Sequence, residues 1–373
     1  MAEELNIVTL NIPYPPDYGG MIDSFYRIKE LSEAGVKIHL HCFEYGRSRN
    51  NILESYCKTV SYYKRSTSLL NFFSSIPYII KSRSSKELLK NLSSNRFPIL
   101  FDGIHTTCFI NHREFQGRRL FLRAHNLEHQ YYRNLSQYEK NPFRKLYFLS
   151  EAAKLHRYEP RLISSVNIFA ITETDKDFFS RHYNNVFLIP AFHPFDKSTT
   201  IPGKGDYVLY HGDLSVNLNE RIVYGLIEDV FSKVSNKFII AGKNPSKKLI
   251  RKANDFNNIK IVANPDLAEM NELIRNAHIN LLPAIGNSGF RIKLLYALFA
   301  GRFVVSNYEL TKQFEENEVF VSADTPEETL TSINRLMNNE FSFETINKRT
   351  EFLNRYFSNR KNVAEMRNKI YGK

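Results

Sequence analysis

Short apolar runs alternate with helical stretches along this chain, and the alternation lapses once, between residues 191 and 205, before starting again. The runs before the lapse are Leu5–Leu10, Val36–Phe43, Phe97–Phe101, Leu120–Ala124, Val166–Ile171 and Asn185–Ile189. Those after it are Tyr207–His211, Lys237–Ala241, Ile259–Val262, Ile279–Leu282 and a run from Phe303. A strand that is apolar at successive positions is buried on both faces, which is the condition of a parallel sheet covered by helices. The lapse, AFHPFDKSTTIPGKG, has Pro, Gly, Ser and Thr but no hydrophobic period, so it reads as a linker. The chain is therefore expected to be α/β, with two doubly wound parallel-sheet, Rossmann-like domains at residues 1–190 and 206–351. The final helices, about 352–373, are expected to pack back on the first domain.

The balance of charge narrows the ligands. Fifty-one basic and 39 acidic residues leave a net charge of +12 over 373 residues, which suits phosphorylated ligands or an anionic surface. Residues 58–96 concentrate this charge: Lys64, Arg65, Lys81 and Arg83 lie among Tyr62, Tyr63, Leu69, Leu70, Phe72 and Phe73. That mixture predicts a basic amphipathic helix able to lie on an anionic membrane surface, or else a core helix with a solvated face. No segment reaches the roughly 18–20 apolar residues of a spanning helix. The acidic start MAEELNIVTL does not read as a secretion signal, so the expected location is cytoplasmic, with the inner face of the cell membrane as a peripheral station. Cys42, Cys57 and Cys108 have no metal-ligand spacing; the first and third are expected in strands, as reduced core residues.

The stretch HINLLPAIGNSGFRIKLLYALFAGRFVVSN, His278–Asn307, reads as strand, loop, helix and strand. Its helix is expected to begin near Gly289, so the amides of Gly289, Phe290 and Arg291 lack intrahelical partners and face an anion. Arg291 and Lys293 add positive charge there, and on helical spacing Lys293 shares a face with Tyr296. Earlier, the loop NIPYPPDYGG ends in Gly19-Gly20, where backbone can approach a ligand closely. His125 follows the fifth strand and His105 the fourth; of the two, His125 is the stronger candidate for a reacting group.

Two other chemistries fit the residues less well. His125-x-x-Glu128-His129 spells an inverted zinc-peptidase order, but a strand running to Ala124 would leave His125 off the helix that must align both histidines. Nicotinamide binding lacks its G-x-G-x-x-G turn, and no nucleic-acid module is recognisable.

Taken in order, several stretches resemble the GT-B glycosyltransferases of the family 4 type. Gly19-Gly20 resembles the family's diglycine loop. RAHNLEHQYY (Arg123–Tyr132) with Tyr158-Glu159 resembles a signature of one branch. Tyr210–Leu214 (YHGDL) with Asn219 is similar to the opening of the second domain, and Ala241-Gly242-Lys243 to the end of its second strand. GFRIKLLYALFAGR, Gly289–Arg302, resembles that branch's glycine, lysine and leucine pattern.

The resemblance implies two domains facing a cleft and transfer of a sugar from a nucleotide diphosphate sugar, UDP- or GDP-linked. It further implies a hydroxyl of a glycan or lipid-linked acceptor, retention of anomeric configuration, and no metal or other cofactor. It implies His125, Arg291 and Lys293 as catalytic, with Gly19, Gly20, Gly212, Lys243, Ser288, Gly289, Phe290 and Tyr296 around the donor. The family commonly carries glutamates where Ser288 and Tyr296 stand. A binding protein of this fold with weak or lost activity is the alternative that this departure raises.

Overall fold

The computed structural model describes residues 3–283, 292–312, 314 and 319–372. The chain divides into two compact units, one built from Met1–Pro194 and Phe357–Lys373, the other from Phe195–Asn287 and Arg291–Tyr356. The division falls inside the Pro- and Gly-bearing segment after the sixth apolar run.

The first unit holds a seven-stranded sheet. Its strands are β1 Glu4–Thr9, β2 Lys37–Glu44, β3 Thr59–Lys64, β4 Ile99–Asp102, β5 Leu120–Ala124, β6 Asn167–Ala170 and β7 Val186–Leu188. They run parallel in the order β3-β2-β1-β4-β5-β6-β7. Alternate side chains fill opposite faces: Leu5, Ile7, Ile38, Leu40 and Leu100 enter one core, Val8, Ile99, Phe101 and Leu122 the other. The helix Gly19–Glu33 ends where Gly35, at φ +90°, turns the chain into β2, and Val36 N bonds back to Leu31 O.

The second unit repeats the plan with six strands: β8 Tyr207–Asp213, β9 Lys237–Lys243, β10 Ile259–Ala263, β11 Ile279–Leu281, β12 Phe303–Ser306 and β13 Val321–Ser322. Their order is β10-β9-β8-β11-β12-β13, again parallel. Each sheet reverses its winding beside its first strand, between β1 and β4 and between β8 and β11, and ligands of doubly wound sheets bind outside the carboxyl ends at such points.

The last helix, Asn359–Tyr371, belongs to the first unit. Val363, Met366 and Ile370 enter the Leu5–Ile38 core, and Asn359 Nδ2 donates to His193 O at 2.8 Å.

The structure corrects three expectations. Residues 58–96 are not one amphipathic helix: they form β3, a turn of 3-10 helix at Leu69–Phe73, a short helix Tyr78–Lys81 and the helix Lys86–Ser93. Arg83 is not on a basic surface, because its guanidinium is buried and donates to Leu10 O (2.9 Å) and Ile79 O (2.6 Å). Cys108 is in the 3-10 helix Ile104–Phe109 and half-buried; it is not in a strand. No described helix is long and apolar enough to cross a membrane.

Candidate active site

In the first unit, the carboxyl ends of β4 and β5 and the helix after β1 bring a charged network into the interior. Asp102 ends β4, His125 follows β5, and Asp23, Ser24 and Arg27 sit on the helix Gly19–Glu33; all are at least nine-tenths buried. Asp23 accepts from Arg123 Nε (3.0 Å) and Nη2 (2.7 Å), from Arg27 Nη1 (2.6 Å) and from the Phe192 amide (2.9 Å). Asp102 faces Arg27 Nη2 at 2.6 Å, is bonded by the Ser24 hydroxyl, and accepts from His125 Nε2 at 2.7 Å. Two carboxylates thus meet two guanidiniums. Burial disfavours their charge, but Arg123 and Arg27 outweigh it: the Asp23 carboxyl is held at about 2, and Asp102 is held well below the usual carboxylate range by Arg27 and His125.

His125 is therefore committed. Its Nε2 points at Asp102, and Nδ1 faces Asp23 Oδ2 from 3.6 Å. The trio Asp23, Asp102 and His125 is close enough to hold a metal ion, yet the two carboxylates are already engaged by Arg27 and Arg123, so the residues do not fit a metal site. His105 lies beside this network, half-buried, with its imidazole pushed well below its ordinary range by desolvation and by Arg83. Gly103, at φ +84°, separates the two histidines: a Cβ there would approach His105 Nδ1 at 3.2 Å and His125 Cδ2 at 3.4 Å.

His129 does not join His125. Its Nδ1 bonds the Glu159 carboxylate, and its amide donates to the same group at 3.2 Å. With the two histidines bound to separate acids, the zinc-peptidase reading loses its geometry. Tyr158 OH lies 3.1 Å from Thr107 Oγ1 and donates to Thr107 O at 3.0 Å, so the Tyr158-Glu159 pair ties the helix end to the segments after β4 and β5. Glu128 is buried near Glu159 and Asp175, and burial with those charges lifts its carboxyl to about 8.

Gly19 opens its helix with Tyr18 as N-cap and no side-chain cap. A Cβ on Gly20 would meet only the Tyr18 ring, at 3.7 Å, so the fold itself does not require glycine there. Gly242 is different: paired with Gly212 across β8 and β9, it would drive a Cβ to 1.9 Å from Gly212 O.

In the second unit, the residues expected around an anion fall partly within the described structure. Ser288, Gly289, Phe290 and Arg291 lie outside the described residues. Lys293 is in the first turn of the helix Ile292–Ala300, and its Nζ sits 5.0 Å from the ring centre of Tyr210, midway along β8. Next to Tyr210, His211 is buried and its Nε2 has no hydrogen-bond partner among the described residues. Burial, with the Lys293 charge added, pushes that imidazole down to about 3. Gly212 is half-exposed after it, and a Cβ there would make only ordinary contacts, 3.5 Å from Tyr210 Oη. Lys243 ends β9 in register with Asp213, exposed. Tyr296 packs edge-on against Phe195 at 4.9 Å, and Phe195 stacks on Phe299 at 4.8 Å.

Sequence reasoning did not find Asp23, Arg27 or Asp102 as members of the network. One signal was available: an acid and an arginine four apart, inside a helix whose neighbours Ile22, Phe25 and Ile28 are apolar.

Residues 205–339 match the model of the family described as glycosyl transferases group 1. A Klebsiella pneumoniae protein described as an uncharacterised 44.6 kDa protein in the cps region is 26% identical over 320 residues, 80% of this chain and 81% of that one. The whole chain superposes on TarM (TM-score 0.70, 11% identity, 100% of this chain and 99% of that one). It also superposes on Anabaena Alr3699/HepE, solved with UDP and glucose (TM-score 0.67, 12% identity, 100% of both chains). A Staphylococcus aureus TarM variant, at TM-score 0.65, 11% identity and 99% and 100% coverage, was solved with UDP, alpha-GlcNAc-glycerol and fondaparinux. The chain has the GT-B fold, and its second unit is the part that matches the group 1 glycosyl transferases.

Proposed function

We propose that this protein transfers a sugar from a nucleoside diphosphate sugar to a hydroxyl of a glycan acceptor, with the donor held by the second unit. The observation that carries this reading is the placement of Lys293 at the switch point between β8 and β11. There its ammonium lies by the Tyr210 ring and its charge reaches His211; half-exposed Gly212 follows in β8, and exposed Lys243 ends the next strand. Cleavage of the sugar–phosphate bond puts charge on the β-phosphate, and cations fixed beforehand at that position stabilise it without reorganising. Lys293, Lys243 and the amides of Gly212, Gly289 and Phe290 are assigned to the diphosphate, with Arg291 beside them. Gly19 and Gly20 are assigned to a ligand of the first unit, since Gly20 has room for a side chain that the chain does not use.

The network around His125 shapes the proposed chemistry. Its Nε2–H is engaged by Asp102, so the imidazole is poorly placed to take a proton from the acceptor. We assign it to fixing the carboxyl ends of β4 and β5 through Asp102, with the departing phosphate receiving the acceptor proton on the same face. That course retains anomeric configuration and calls on no metal. UDP is the first nucleotide to test, since two of the three solved structures described above contain it. The acceptor is proposed to be lipid-linked, with the enzyme peripheral on the cytoplasmic membrane face through residues 58–96.

A binding protein without transfer is the second reading. It is favoured by Tyr296, whose ring is engaged by Phe195 and offers no carboxylate to a ribose. A thermal-shift screen over UDP-, GDP-, ADP- and TDP-linked sugars, followed by assay of nucleoside diphosphate release, separates the two. A stabilising donor that is also turned over supports the transferase. Stabilisation without release supports the binding protein, and no stabilisation by any donor overturns the donor assignment.

A further inference from the structure

Apolar side chains scattered singly on a surface are ordinary, but here they gather. Of the fifteen large apolar or aromatic side chains exposed among the described residues, seven lie on two segments of the first unit, Leu69–Phe73 and Phe143–Leu149. Phe73 is 87% exposed, Leu70 78%, Phe143 83% and Leu146 67%.

The two segments are joined. Phe72 stacks on Tyr78 at 4.2 Å and meets Tyr147 edge-on at 5.4 Å. Lys154 Nζ donates to Phe72 O at 2.8 Å, and the Tyr78 amide donates to Glu151 Oε2 at 2.6 Å. These contacts strap residues 72–78 along the helix Pro142–Tyr158 on the side of Tyr147, Glu151 and Lys154. At about 100° per residue, Phe143, Leu146 and Leu149 share the adjoining arc of about 120°. The opposite side is turned to the helix Glu128–Tyr138, where Phe148 meets Tyr132 at 5.9 Å. The arc carrying Phe143, Leu146 and Leu149 is thus uncovered, next to the exposed tips of Leu69, Leu70 and Phe73.

Charge identifies the occupant. Lys140, Arg144 and Lys145 flank the tips of the helix Pro142–Tyr158, all exposed, and the neighbouring acid Glu139 lies 3.4 Å from Arg144. Apolar tips rimmed by cations match an anionic bilayer, in which acyl chains lie beneath phosphate headgroups. We propose that the 3-10 turn Leu69–Phe73 and the first two turns of the helix Pro142–Tyr158 together form a docking face for an anionic lipid surface. This deepens the membrane-side reading of residues 58–96: it moves the contact from a single basic helix to a two-segment face and adds residues 143–149.

The test is co-sedimentation of the full chain with vesicles of phosphatidylcholine alone and of phosphatidylcholine mixed with phosphatidylglycerol. Wild type is expected on the mixed vesicles and far less on the neutral ones. Phe73→Ser with Phe143→Ser should lower partition by about tenfold or more, since each removes apolar area that would enter the interface. Lys140→Glu with Lys145→Glu should lower it in a salt-dependent way. Phe343→Ser, an exposed aromatic of the second unit, should bind as wild type does. All the altered side chains are exposed, so unchanged thermal melts verify folding. Equal binding by the Phe73/Phe143 variant, or no binding by wild type, overturns the proposal. So does light scattering that finds a dimer which this variant dissociates, because the face would then belong to a second copy. UDP titration of the same samples reports on the donor site separately, so either reading can fail alone.

Discussion

Replacing Asp23 by alanine tests the buried network most severely. The carboxylate accepts two bonds from Arg123, one from Arg27 and one from the Phe192 amide, and it is essentially out of water. Holding it at about 2 against an ordinary 3.8 makes folding at neutral pH more favourable by about 2.4 kcal/mol, at 1.36 kcal/mol per tenfold change in proton affinity. The sign is that of a depressed acid: the contribution is complete above the unfolded value and disappears as pH falls from about 4 through about 2. Removal also leaves buried Arg123 with the carbonyls of Ile189 and Pro190 and no carboxylate, and Arg27 with Asp102 alone; breaking a buried pair costs about 3–5 kcal/mol. The expected loss for Asp23→Ala is therefore about 3–5 kcal/mol, a large part of the roughly 5–15 kcal/mol that holds a domain together. Asp23→Asn, which can still accept from the Phe192 amide, should lose less. Urea unfolding followed by far-ultraviolet circular dichroism gives both values. A loss below about 1 kcal/mol for Asp23→Ala would refute the argument that these charges support one another.

Three further expectations follow from named groups. His41 and His211 are buried and neutral, held at about 4 and about 3, so the unfolded chain binds more protons below about pH 6.5 and stability falls as pH drops. Each should cost about 2 kcal/mol between pH 6.5 and pH 5; His41→Gln and His211→Asn should flatten that slope in thermal melts. Glu128 acts in the opposite sense: lifted to about 8, it keeps a proton that the unfolded chain has released, so its burial weakens the fold as pH rises from about 4 to 8. Glu128→Gln should gain about 1–3 kcal/mol near pH 7.5, and an unchanged or lowered melting temperature there would contradict that expectation. Gly242→Ala should cost about 3 kcal/mol or more, because its Cβ would lie 1.9 Å from Gly212 O, and it should weaken nucleotide binding by shifting the end of β8.

Much of the fold was legible because strands buried on both faces are apolar at successive positions; LNIVTL, LFLRA and YVLYH could be read directly. β3 was not. TVSYYK is an edge strand with only Tyr63 buried, and its tyrosines and lysine sit in a basic stretch that imitates an amphipathic helix. The lysines, glycines and His125 of the candidate site stood in recognisable motifs, whereas the partners of His125 did not. Asp23 and Arg123 are 100 residues apart, and only the convergence of strand ends makes them neighbours. The Tyr158-Glu159 pair was visible in sequence, but that Glu159 captures His129 depends on two helices meeting after β5. The exposure of Phe143, Leu146 and Leu149 was equally hidden, since periodicity locates an apolar face without telling what covers it.

The central claim is that the second unit holds a nucleoside diphosphate at the β8–β11 switch point with Lys293 on it. Calorimetric titration of UDP and GDP into wild type and Lys293→Ala tests it most directly. Wild type should bind at least one of the two, and the variant about tenfold or more weakly, as expected for loss of a charge-assisted bond of about 1.5–3 kcal/mol. Equal affinities for the two proteins, or no binding of either nucleotide by wild type, would contradict it.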